Sequence, residues 1–255
     1  MIRMELYFIV ILVGIVFGSF LNVLIHRIPL GLSLIKPLGS ICLSCQSNIR
    51  WFENIPVFSY IFLKGKCSNC QKPISTLYPL VEILTGLVTL ILYMKYWFNF
   101  DLIVTIILFY TLIVLSFIDL KYKAVPDYLL IFSVALVLLI GDLTNALLFA
   151  GGFVLLELAL TFYIQNIKAK ITKNKALESQ RALGEGDIPI AAVIGGLLGV
   201  HLGISAIFLG ALLALLPALY NLISKKEIET AFIPFLSLGL FITLITEFNI
   251  FSWFL

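Results

Sequence analysis

Leu102-Ile103-Val104-Thr105-Ile106-Ile107-Leu108-Phe109-Tyr110-Thr111-Leu112-Ile113-Val114-Leu115-Ser116-Phe117-Ile118 runs without a charge and then meets Asp119, Leu120 and Lys121. Such a run matches the roughly 20 residues an α-helix needs to cross about 30 Å of hydrocarbon. Comparable runs, bounded by charge, Pro, Gly or Asn, recur along all 255 residues. The chain is 61% hydrophobic and 12% charged, against about 45–50% and about 25% in soluble domains. A soluble globule could not cover that much apolar surface, so the expected fold is an all-α polytopic membrane protein. The same composition excludes a disordered chain, a disulfide-rich secreted module and a nucleic-acid-binding domain.

Eight spans are expected, at Leu6–Ile25, Leu77–Tyr96, Leu102–Leu120, Tyr128–Ile140, Ala146–Ile164, Ile188–Val200, Ile204–Ile223 and Phe232–Glu247. The fourth and sixth are short for a bilayer, which suggests tilt, a kink or a re-entrant path. The sixth and seventh carry Gly195, Gly196, Gly199, Gly203 and Gly210, suited to close helix contact. The first run has His26 and Arg27 after it rather than charge before it, so it is expected to be a retained helix and not a signal peptide.

Charge placement supports an even number of spans. Arg27, Lys36, Arg50, Lys64, Lys66 and Lys72 fall between spans one and two, and Lys121 and Lys123 follow span three. Lys168, Lys170, Lys173, Lys175 and Arg181 follow span five, and Lys225 and Lys226 follow span seven. Only Arg3 and Lys95 of the 17 cations fall elsewhere. By the positive-inside rule the cation-rich loops are cytoplasmic and both termini face outward.

All four cysteines lie in the first of those loops, as Cys42-x-x-Cys45 and Cys67-x-x-Cys70. Two CxxC pairs at this separation are close to zinc-ribbon spacing. Each pair offers two thiolates, and together they complete a closed, structural four-cysteine site. The cytoplasmic side is reducing, which argues against two disulfides. Residues 26–76 are therefore expected to form a small cytoplasmic Zn2+-binding insertion between helix 1 (residues 1–25) and the remaining membrane domain (residues 77–255).

Acids at a membrane edge are costly and point to function by default. Asp119 closes span three, and Asp187 ends Gly184-Glu185-Gly186-Asp187 just before span six. The topology puts both at the same cytoplasmic level. Two facing carboxylates in a desolvated site do not both ionise easily, so one serves as base and the other as acid. Asp127 after Pro126 reads as an N-cap of span four, and Asp187 before Ile188-Pro189 has the same plain reading. Glu82 and Glu157 read as hydrogen-bonded groups within the bundle. Besides a hydrolase, the residues alone leave open an ion-coupled transporter, with Glu82, Glu157 and Asp187 as a proton path, and a non-catalytic zinc-containing assembly protein.

Several motifs occur together in a fixed order. These are Gly18-Ser19-Phe20-Leu21-Asn22 through His26-Arg27-Ile28-Pro29, the double CxxC enclosing Arg50-Trp51-Phe52-Glu53-Asn54-Ile55-Pro56, Tyr78-Pro79-Leu80-Val81-Glu82, Ile118-Asp119 with Pro126-Asp127, and Gly184-Glu185-Gly186-Asp187. In this combination the chain resembles the type IV prepilin peptidases, membrane aspartic proteases of the GxGD class. The resemblance implies that Asp119 and Asp187 are catalytic and that Gly184, Glu185 and Gly186 line the substrate site. It implies cleavage of the basic leader of a prepilin or pseudopilin on the cytoplasmic side of the inner membrane, typically after Gly. It also implies N-methylation of the new N-terminus with S-adenosylmethionine, for which Glu53 matches the acidic position.

Overall fold

The computed structural model describes residues 2–34, 40–42, 44–172, 175–179, 181–223 and 230–253. Lys36, Lys173, Lys225 and Lys226 of the charge pattern lie outside the described residues. The apolar runs form α1 (Ile2–Arg27), α3 (Leu77–Tyr96), α4 (Phe100–Tyr122), α5 (Asp127–Ile140), α6 (Leu143–Phe162), α8 (Asp187–Ile223) and α9 (Ile233–Thr246), with two short helices, α2 (Phe58–Phe62) and α7 (Ala169–Thr172). No strand occurs among the described residues, only isolated bridges at Ile41–Asn48 and Lys66–Pro73. Among the described residues five helices are long and apolar enough to cross a membrane, and α5 and α9 are shorter apolar helices. The fold is an all-α polytopic membrane protein.

The sixth and seventh expected spans are two arms of α8. Gly199, at φ 71° and ψ −173°, interrupts the helix, a left-handed backbone position that glycine adopts without steric cost. A straight helix would hold residues 195 and 203 about 12 Å apart. Here the ring of Phe149 lies directly against both Gly195 and Gly203, where any Cβ would collide with it. The chain therefore doubles back at Gly199.

The chain divides into two compact units, Met1–Ile118 and Asp119–Leu255, with the boundary inside α4. In the first, α1 and α3 pack antiparallel at very short range. A Cβ on Gly14 would stand 2.8 Å from the Gly86 Cα, and one on Gly18 would stand 2.7 Å from the Glu82 Cα. Gly14-x-x-x-Gly18 is thus a small-residue helix contact of the kind that replaces the hydrophobic effect inside lipid. Asn22 donates to the Tyr78 carbonyl at 3.1 Å, and the hydroxyls of Thr89 and Tyr110 tie α3 to α4 at 2.7 Å.

Glu82 is buried, and its carboxylate accepts the Val57 N–H at 2.7 Å. Val57 holds a positive φ of 62°, a costly conformation for a β-branched residue. A charge-assisted hydrogen bond from a membrane helix holds it there. Glu82→Ala is expected to lower stability by about 1–3 kcal/mol, because it leaves a partly buried N–H without an acceptor. Thermal unfolding of the detergent-solubilised protein would register this as a lower Tm, and an unchanged Tm would disprove the anchoring role.

In the second unit the first arm of α8 is the core. Ile190, Ala191, Val193 and Ile194 are fully buried, and α5, α6 and α9 pack around the helix. Glycines let the second arm of α8 pack closely on α9. A Cβ on Gly210 would stand 2.9 Å from the Phe235 carbonyl, and one on Gly239 would collide with the Ala206 carbonyl. Asp142 caps α6 by accepting the Asn145 N–H at 2.7 Å.

Candidate active site

Asp119 lies in the last turn of α4 and Asp187 is the first residue of α8. Each is more than nine-tenths buried, at 8% and 5% exposure. Ile233, at the start of α9, links them: it is bonded to Asp119 and lies against Gly186, the residue next to Asp187. Both belong to the second unit, so one compact body holds the pair.

Each carboxylate is held by a backbone amide. The Ile233 N–H donates to Asp119 Oδ2 at 3.2 Å. Ile233 opens α9, with Pro234 directly behind it. The uncapped amides at the start of a helix and its positive dipole end favour a negative group there. Asp187 Oδ2 accepts the Gly184 N–H at 3.0 Å, and the Asp187 N–H in turn donates to the Gly184 carbonyl at 3.1 Å. The Asp187 side chain thus reaches back to Gly184, three residues before its own helix begins, rather than forward as an N-cap would. Asp127 stands one position inside α5, whose N-cap is Pro126, and it is exposed.

Gly186 explains why a small residue precedes Asp187. A Cβ there would stand 2.9 Å from both Ile233 Cδ1 and Val125 Cγ2. Ile233 therefore touches both halves of the pair: its N–H holds Asp119, and its side chain packs on Gly186. Gly186→Ala is expected to cost about 1–3 kcal/mol through overpacking. It would also push the Asp187 loop away from α9, so turnover should fall more than stability explains. Tm and turnover measured on the same sample would separate the two, and undiminished turnover would show that the close fit does not position Asp187. Gly184 and Glu185 are exposed, and the Glu185 carboxylate pairs with Arg181 in solvent.

Sequence reasoning expected span eight but missed the role of its first turn. The signal was present in Phe232-Ile233-Pro234, where a proline just inside a helix start marks a set of free amides.

The cysteines form a second cluster, in the first unit. Their four Sγ atoms all lie within 4.8 Å of one another, and no disulfide joins them. The two knuckles repeat the same hydrogen bonds. Cys42 and Cys67 donate their N–H groups to Ser47 and Lys72 at 2.9 and 3.0 Å, and they accept from Gln46 and Gln71 at 2.8 and 3.0 Å. Gln46 and Gln71 both take a positive φ, 59° and 58°. A hydrogen bond from the Ser47 hydroxyl holds the Cys45 thiol down to about 6. Backbone N–H groups of Cys70 and Asn69 lower that of Cys67. Although the Lys72 N–H lowers it too, burial and the other three sulfurs push the Cys70 thiol up to about 11. Four crowded sulfurs resist full ionisation, and a bound cation removes that resistance. The arrangement can hold a metal ion.

Glu53 sits in a 3-10 turn, Trp51–Asn54. Its carboxylate accepts the Arg50 N–H at 3.1 Å, which keeps its carboxyl below the usual range. Glu53 also lines a cavity of about 380 Å3 in the first unit, with Asn22, His26, Arg27, Asn54 and Glu82.

Comparison with known proteins follows the same division. Residues 12–96 match the bacterial peptidase A24 N-terminal domain, and residues 106–219 match the type IV leader peptidase family. A protein of Neisseria gonorrhoeae named prepilin leader peptidase/N-methyltransferase is 31% identical over 89% of this chain and 85% of its own. Proteins of the same name from Aeromonas hydrophila and Bacillus subtilis are each 31% identical, over 98% and 91% of this chain and 94% and 90% of theirs. No solved structure matches significantly. With that likeness spanning nearly the whole chain, the protein belongs to the type IV leader peptidase family.

Proposed function

We propose that this protein is a membrane aspartic endopeptidase. Its substrate is the basic leader of a type IV prepilin or pseudopilin, cut on the cytoplasmic side of the inner membrane after Gly. The observation that carries the reading is the buried pair Asp119 and Asp187, held by the amides of Ile233 and Gly184, with the Ile233 side chain against Gly186 between them. One carboxylate takes a proton from water as its oxygen adds to the scissile carbonyl carbon. The other, protonated, gives its proton to the leaving nitrogen as the C–N bond breaks. Gly184 and Glu185, exposed beside the pair, are assigned to the substrate backbone, and Gly186 to the close packing behind it. A transporter is less well supported, because Glu82 is spent on the Val57 N–H.

The four cysteines are assigned to a structural Zn2+. A tetrahedron of 2.3 Å Zn–S bonds has edges of about 3.8 Å, and Cys42 Sγ lies 3.8 Å from Cys70 Sγ. The ion would supply folding energy to residues 26–76, which have little core of their own. Methyl transfer from S-adenosylmethionine to the new N-terminus is assigned to the first unit. Its support is the cavity of about 380 Å3 lined by Glu53, within the usual range of about 300–1,000 Å3 for ligand sites.

The test is incubation of the purified protein with a prepilin, with and without S-adenosylmethionine, followed by product mass. Loss of the leader mass in both samples supports the peptidase, and an added methyl mass only with the methyl donor supports the second activity. An intact substrate in both samples refutes the peptidase reading.

A further inference from the structure

The Cys-rich insertion is built inside out. In α2 the polar residues face inward: Ser59 is buried and donates to the Phe52 carbonyl at 2.8 Å, and Tyr60 donates to the Ile74 carbonyl at 3.2 Å. The apolar residues Phe58, Ile61 and Phe62, at i, i+3 and i+4 on one helix face, face outward at 56%, 66% and 83% exposure. Trp51 and Phe52 in the preceding turn are exposed at 82% and 45%. A segment folded for water would bury these rings, and a contiguous exposed patch of this kind marks an interaction surface.

Three observations say what covers it. First, the insertion is joined to membrane helices at both ends, α1 through Arg27 and α3 from Leu77. Second, the Val57 N–H bond to Glu82 places the start of α2 beside the sixth residue of α3, about 7.5 Å along that helix from its first residue. That is the depth at which interfacial helices seat their apolar face, about 5–10 Å into the headgroup and acyl boundary. Third, Arg50, whose guanidinium lies over the Phe52 ring, and Lys64, Lys66 and Lys72 of the same insertion are all exposed, and Glu53 is the one acid between residues 26 and 76. Aromatic rings with a basic fringe are the signature of an anionic membrane interface.

We propose that Trp51, Phe52, Phe58, Ile61 and Phe62 form a second membrane anchor, laying the Cys-rich insertion flat in the headgroup layer of anionic lipid. The anchor fixes the insertion at the membrane surface without any span of its own. It does not depend on the peptidase reading, and its test uses no cleavage assay.

Trp51 is one of three tryptophans, so the full-length protein carrying Trp97→Phe and Trp253→Phe reports on it alone. It is reconstituted in vesicles of phosphatidylcholine and phosphatidylglycerol whose acyl chains carry bromine near the headgroup end. Trp51 emission is expected to shift to the blue and to lose about half its intensity or more, as for a ring seated at that depth. Lys64→Glu with Lys66→Glu should weaken the quenching in anionic vesicles, and added salt should do the same. Phe58→Ser, Ile61→Ser and Phe62→Ser together should abolish it while the four thiols still bind Zn2+. Water-like emission that bromine does not quench overturns the proposal. So does emission that changes only when a leader peptide is added, which would assign the face to a protein partner.

Discussion

Asp119→Asn and Asp187→Asn are each expected to reduce leader cleavage by about a hundredfold to ten-thousandfold, the contribution of an acid or base in the transition state. The substitution is close to isosteric. An Asn Oδ1 can still accept from Ile233 at position 119 or from Gly184 at position 187, as the carboxylates do now. Insertion and Tm should therefore stay near those of the unaltered protein, which separates a chemical loss from a folding loss. Groups that act as a unit are not additive. The double variant should thus be no worse than either single one by more than about tenfold, as residual turnover no longer passes through the pair. Leader processing by mass spectrometry would check this, and full processing by either single variant would refute the assignment.

Cys67→Ser, or prolonged chelation, is expected to unfold the insertion while leaving the membrane helices in place. Structural zinc in small domains contributes about 10–16 kcal/mol at neutral pH, far more than any contact within residues 26–76 supplies. Cys67 is the buried member of the four, so its loss leaves a partly apolar three-sulfur site that water cannot repair. Metal content should fall from about one equivalent to below about a tenth. Limited proteolysis should then cut first between Arg27 and Leu77. Metal-free protein that resists protease in this segment would show that the thiols, and not an ion, hold the knuckles together.

Much of the architecture could be read directly. The apolar runs located the helices to within a few residues; α3 begins at Leu77 and ends at Tyr96 as its pattern predicts. Hydropathy works this well because lipid leaves a backbone no alternative to internal hydrogen bonding. The CxxC spacing likewise gave the sulfur cluster, since a knuckle is local chemistry repeated at Cys42 and Cys67.

Contacts between distant parts of the chain were not legible. No pattern in the sequence says that Glu82 is used by Val57, because a single hydrogen bond across the fold leaves no periodicity. The Gly14-x-x-x-Gly18 contact had a readable spacing, but its partners Glu82 and Gly86 emerge only when α1 and α3 are packed. The outward face of α2 breaks the usual rule that apolar residues lie inside, so composition alone would have assigned it to a core.

The sequence by itself determined a membrane protein, its helices and its metal-ready thiols, because each is written in composition or local spacing, whereas the two aspartates stood out through the family resemblance. Tertiary structure alone decided how those aspartates are held. Gly199 folds α8 back on itself, and the buried first arm carries Asp187 into the core. The first turn of α9, far along the chain, then supplies the amide that holds Asp119. The physical reason is that desolvation and preorganised amides come only from elements that meet in space.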